Sequence, residues 1–220
     1  MVISFRRNFV FIHIPKCGGE SLTHLLLAAA NGGVQVADKH AGYQTLVPLL
    51  GDEISRFTVF AVVRNPFDQV VFFYEHLRKP LSMSRKEIEA QYPGSGGRIS
   101  PRWACELACS VEFSEFVSQV YGAQPPGLAR SREYWFRDLA SWLVRSDGSL
   151  AVNRLLRLET LAADFARLKE DLGLTGALSH LNASRHEASP DDYRGRYDEP
   201  TRNLIAARFR TSLELFGYRF

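Results

Sequence analysis

Cysteine is scarce in this chain of 220 residues: there are three, at positions 17, 105 and 109. An odd count without framework spacing excludes a disulfide-stapled secreted scaffold and points to a reducing compartment. No histidine or further cysteine stands at zinc-site spacing, so no metal is expected. There is no run of about 18 apolar residues, so no membrane span is expected. The first eight residues are short and polar and carry no signal-peptide pattern. Together these absences predict a cytoplasmic protein. Charge of one sign is also in short supply: 27 Lys and Arg against 24 Asp and Glu leave a net +3. That bias suits an anionic ligand and is too weak to argue for nucleic acid. No internal repeat occurs, and nothing in the sequence fixes an oligomeric state.

What the chain does have is apolar runs alternating with helix-like runs. Residues 2–14 read as a first strand, 21–30 as a helix stopped at Asn31-Gly32-Gly33, and 34–37 as a short strand. A helix follows through residue 50. Residues 57–63 form a second long strand, with the unbroken hydrophobicity of a sheet covered on both faces. Helices are expected at 66–77, 110–121, 131–143, 160–172 and 200–216, and another strand at 152–158. This alternation predicts an α/β fold with a mostly parallel central sheet flanked by helices. Length and a 45% hydrophobic content suit one domain over residues 1–220. The polar stretch 79–101 contains Pro93-Gly94-Ser95-Gly96-Gly97, so a flexible loop is expected at 92–101, either a flexible lid or acceptor-binding insert, or plain surface slack.

Two stretches carry chemistry. The first, FVFIHIPKCGGESL at 9–22, is a strand feeding a Gly-containing turn and then a helix. Such a turn aims backbone N–H groups inward, and the helix start adds partial positive charge. Lys16 supplies a full charge and Ser21 a hydroxyl. The triphosphate loop G-x-x-x-x-G-K-[ST] needs lysine after its second glycine. Here Lys16 precedes Gly18 and Gly19, which argues against an ordinary ATPase or GTPase. The second stretch, FTVFAVVRNPFDQVVFFYEH at 57–76, is again strand, turn and helix. Pro66 suits a first helical turn. Arg64 ends the strand where open α/β sheets bind ligands. Two such elements suggest a ligand with two separated anionic groups.

This pair resembles the sulfotransferases that use 3′-phosphoadenosine-5′-phosphosulfate (PAPS), in particular the carbohydrate branch with heparan sulfate 2-O-sulfotransferase and its bacterial relatives. KHAGYQTL at 39–46, RLETLAADF at 157–165, HLNASRH at 180–186 and the ending LELFGYRF resemble further family landmarks. The resemblance covers nearly the whole chain. It implies a P-loop-like fold and sulfuryl transfer from PAPS to a hydroxyl, on a carbohydrate. It also implies that Pro15, Lys16, Cys17, Gly18, Gly19, Glu20 and Ser21 hold the 5′-phosphosulfate and that Arg64 holds the 3′-phosphate. Ser184 and Arg185 would close the donor site. Two positions depart from the family pattern: Phe72 stands where serine is usual, and Glu20 where threonine or serine is common. A carboxylate beside a dianion is unfavourable unless it points away or meets a cation. Both departures suit an alternative, a non-catalytic binding relative with a decayed donor site.

Sulfuryl transfer asks for a general base and for stabilisation of the leaving phosphate. Lys16 is the expected stabiliser. The base is open among six histidines, at 13, 24, 40, 76, 180 and 186. The resemblance singles out His40, and Glu20 is the second choice. A phosphoryl-transfer enzyme with an unusual loop is the remaining reading; the chain lacks a clear acidic partner for Mg²⁺.

Overall fold

The structure is a computed structural model that describes residues 1–79, 84, 86–87, 90, 102–122, 136–178 and 192–220. These fall into two compact units. One comprises the described residues of 1–65, 138–178 and 211–219; the other comprises those of 66–137 and 192–210, with Phe220.

The first unit is built on a five-stranded sheet. Its strands are β1 (Val2–Ser4), β2 (Phe9–Ile12), β3 (Val34–Gln35), β4 (Thr58–Val63) and β5 (Arg154–Arg157), in the order β3-β1-β2-β4-β5. β2, β4 and β5 run parallel, with Ile12 opposite Ala61 and Val63 opposite Arg157. β1 is antiparallel to both β2 and β3, so four of the five strands share one direction. The single long strand expected at 2–14 is instead a hairpin. Ser4 pairs with Phe9, and the intervening Phe5–Asn8 reverses the chain. Asn8 takes φ 50°, a left-handed conformation that asparagine tolerates. Every residue of β2 is buried, as is β4 beyond Thr58. That burial accounts for their unalternating apolar runs.

Helix α1 (Glu20–Leu27) follows β2, and α2 (Tyr43–Leu50) follows β3. Phe9 and Phe11 of β2 and Phe60 and Val62 of β4 point to one side of the sheet. There they pack with Leu22, Leu25 and Leu26 of α1 and with Phe165 and Leu168 of a later helix, Leu161–Asp171. Gly173, at φ 59°, ends that helix as its position suggested.

The second unit contains α3 (Pro66–Arg78), α4 (Arg102–Ser110) and α5 (Phe113–Tyr121). The helix expected at 110–121 therefore begins later, and a separate helix precedes it. Tyr74 explains the break, because its hydroxyl donates to the Val111 carbonyl at 2.9 Å. Its ring packs between Phe113 and Phe116, at 5.4 and 5.1 Å. With Leu161–Asp171 as α6, the chain ends in α7 (Glu199–Arg208) and α8 (Arg210–Phe216). The single helix expected at 200–216 breaks at Phe209. Its φ of −107° leaves helical geometry, and its ring is buried against Tyr121. Of the helix expected at 131–143, the described part holds a 3₁₀ turn, Leu139–Trp142, capped by Asp138. The loop expected at 92–101 lies outside the described residues. Among the described residues no helix is long and apolar enough to cross a membrane.

Candidate active site

The Lys16 turn follows β2, and Arg64-Asn65 follows β4. These strands are adjacent and parallel, so both turns leave the same end of the sheet. This is the end at which α/β sheets bind ligands.

The first turn has an unusual backbone. Lys16 takes φ 61° and Gly18 φ 78°, both left-handed; for a lysine that conformation is strained. A Cβ on Gly18 would lie 2.4 Å from Leu158 Cδ1. A Cβ on Gly19 would lie 2.8 Å from His13 Cδ2 and 3.0 Å from Phe11 Cζ. Both glycines are thus demanded by space, and Gly18 also by conformation. Gly19 caps α1, so the turn runs straight into a helix N-terminus. Pro15 and Cys17 are buried, and Cys17, with no exposed surface, is a packing residue. Lys16, Glu20 and Ser21 are partly exposed. The Glu20 carboxylate meets Lys39 Nζ at 2.6 Å, with His24 Nε2 at 3.5 Å. The cation that Glu20 needs is therefore Lys39, a partner that sequence reading did not supply.

Lys39 adjoins His40. The 38–40 turn is held from several sides. The Met1 amino group donates to the carbonyls of Asp38 and Lys39, the His40 amide donates to Asp38 Oδ1, and Trp142 Nε1–H donates to the His40 carbonyl. His40 Nδ1 lies 2.8 Å from the His13 carbonyl oxygen. A carbonyl only accepts, so Nδ1 carries the proton and Nε2 the ring's lone pair. Burial, opposed by that hydrogen bond and aided by the charges of Lys39 and Lys16, pulls the His40 pKa below its ordinary value. The ring is thus neutral near pH 7, with a basic Nε2.

His13 is buried beneath the turn, and its ring centroid is 4.8 Å from that of His40. Burial, reinforced by the neighbouring His40 imidazole and by the positive charges of Lys39 and Lys16, holds its pKa well below the usual range. His24 is exposed on α1. His76, in the second unit, is buried near the rings of Phe72 and Phe73. His180, Ser184, Arg185 and His186 lie outside the described residues.

The Arg64 turn is built differently. Arg64 is 4% exposed. The Asn65 amide donates to Glu159 Oε1 at 2.9 Å, and its Nδ2 donates to the Arg219 carbonyl at 2.9 Å. Glu159 Oε2 accepts from Tyr218 OH at 2.7 Å. Burial and the Glu159 carboxylate push the Tyr218 pKa up, so this phenol stays protonated. Arg157 stacks on the Tyr218 ring at 4.6 Å and donates to the Phe216 carbonyl. Glu159 and Tyr218 went unassigned from sequence, although the stretches RLETL and FGYRF that contain them stood out.

A model of the sulfotransferase family matches residues 1–219. The chain belongs to the sulfotransferase family. Sulfuryl transfer to a hydroxyl-bearing acceptor is the general chemistry of that family, and membership sets aside the phosphoryl-transfer reading. No curated protein matches the chain. The turns at this end of the sheet thus carry two glycines ahead of a helix N-terminus, a partly exposed lysine and a buried arginine.

Proposed function

We propose that this sulfotransferase takes its sulfuryl group from PAPS and delivers it to a hydroxyl on a carbohydrate. The observation that carries the reading is the pair of strand-to-helix turns at one end of adjacent parallel strands, one bearing Lys16 and the other Arg64. PAPS has anionic groups at both ends, and the two turns offer a cation each. Pro15 to Ser21 form the phosphosulfate loop, and Arg64 takes the 3′-phosphate, with Ser184 and Arg185 closing the site. When bound, PAPS supplies the sulfuryl group and a phosphate leaving group. Lys16 neutralises the charge that builds on the departing phosphate. His40 accepts the proton of the acceptor hydroxyl on Nε2, helped by a lowered pKa that keeps this nitrogen unprotonated. No metal enters the scheme. The 220 residues act as one catalytic domain. Three cysteines held as thiols suit a cytoplasmic setting.

The alternative, a glycan-binding relative without transfer, rests on Glu20 and Phe72. Glu20 carries less weight for it, because Lys39 balances the carboxylate. Titration calorimetry with 3′,5′-adenosine bisphosphate tests the reading. Micromolar binding that weakens in Lys16→Ala and Arg64→Ala supports it. Absence of binding at millimolar ligand overturns it. Glycan binding without sulfate transfer selects the alternative.

A further inference from the structure

His13 joins the glycine turn to His40. Its ring Nδ1 lies 3.0 Å from Thr23 Oγ1. The Thr23 hydroxyl is already a donor, to the Gly19 carbonyl at 2.9 Å. The Thr23 oxygen therefore accepts from His13 Nδ1–H. This gives a directed chain from His13 through Thr23 to Gly19, the last residue before α1. The opposite edge of the same ring fills the space where a Gly19 side chain would stand. Meanwhile the His13 carbonyl takes the proton of His40 Nδ1 at 2.8 Å, and the two rings meet edge to face. A hydroxyl bonded back to the i−4 carbonyl is common in helices. A buried histidine that donates into it, and whose own carbonyl orients a second histidine, requires a further reason.

We infer that His13 is a positioning residue that sets the glycine turn and the His40 ring as one unit. Its side chain fixes Gly19 through Thr23, and its main chain fixes which nitrogen of His40 is basic. Phosphate-loop geometry and base orientation then move together, so a disturbance at Thr23 reaches His40 without touching it. The inference rests on the proposed donor site only for what the turn binds; the coupling itself is independent of that reading.

The test uses Thr23→Val, which keeps the side-chain shape and removes the hydroxyl, and Thr23→Ser, which restores it. Long-range ¹H–¹⁵N correlation of the imidazoles reports the tautomer and setting of His13 and His40, and calorimetry reports affinity for 3′,5′-adenosine bisphosphate. In the wild-type protein both rings are expected to carry the proton on Nδ1. Thr23→Val shifts the imidazole nitrogens of both His13 and His40 and weakens bisphosphate binding about fivefold, the scale of one hydrogen bond. Thr23→Ser returns both toward wild type. His40 resonances that stay in place in Thr23→Val overturn the inference, whatever the affinity does. If the wild-type protein binds no bisphosphate, the PAPS reading fails, and the His40 shifts alone decide the coupling.

Discussion

The turn at Lys16 and the turn at Arg64 follow neighbouring strands, yet they are built by opposite means. The first is shaped by its own backbone, with left-handed residues at 16 and 18 and glycines where a side chain would collide. The second has no left-handed residue and is held by partners 94 and 154 positions along the chain, Glu159 and Arg219. One cation sits on a locally encoded loop; the other depends on distant segments arriving in register. The contrast teaches that two cations at one end of a sheet can differ in which mutations disable them.

The largest effect is expected at the first turn. Lys16→Ala should lower sulfate transfer by about 10²–10³-fold, the range seen when a charge-stabilising group is lost. It should leave the melting temperature within a few degrees; turnover at the wild-type rate would remove Lys16 from the chemistry. Gly18→Ala is the next largest. It meets Leu158 at 2.4 Å in a left-handed conformation, and a loss of roughly 2–3 kcal/mol in chemical denaturation is expected. Gly148→Ala sharpens that measurement, because Gly148 has φ 81° with nothing within 4 Å. It should cost only about 1 kcal/mol, and equal losses at both sites would mean that Leu158 gives way freely.

At the second turn, Glu159→Ala leaves the Asn65 amide and the Tyr218 hydroxyl without their acceptor. Glu159 is exposed, so water takes over part of the bonding, and a loss of about 1 kcal/mol is expected. Bisphosphate affinity should fall with it, and Glu159→Gln should recover most of both. Unaltered binding in Glu159→Ala would show that Arg64 needs no help from distant segments. The smallest effect is the pH response of His13. Burial lowers its folded pKa, so below about pH 6.5 the unfolded chain binds a proton that the folded one refuses. The contribution of His13 is therefore complete above pH 6.5 and declines as pH falls toward the folded pKa. Thermal melts between pH 7 and 5 should slope less steeply in His13→Asn than in the wild-type protein.

These two turns also mark what the sequence made legible. The α/β class, the paired strand-turn-helix motifs and the buried character of β2 and β4 follow from local pattern, because an unbroken apolar run ending in Pro-Lys-Cys-Gly-Gly has few other solutions. The hairpin inside residues 2–14 was missed because Phe5-Arg6-Arg7-Asn8 carries neither glycine nor proline, and its left-handed turn residue is Asn8. The breaks at Val111 and Phe209 were missed because each is decided by an aromatic contact from elsewhere in the sequence. In the site, Lys39 as the partner of Glu20, Glu159 as the acceptor for Asn65 and Thr23 as the link from His13 all depend on tertiary proximity. Spacing along the chain does not encode them.

The left-handed lysine has an evolutionary consequence. Glycine or asparagine would suit that backbone better than Lys16 does, so with the role proposed for Lys16 heat resistance and chemistry pull in opposite directions at this position. On the role proposed for Lys16, a library of variants sorted only for survival at high temperature would enrich Lys16→Gly and hand back folded protein that no longer transfers sulfate. Any effort to harden this scaffold therefore has to hold residue 16 constant and look for its gains elsewhere.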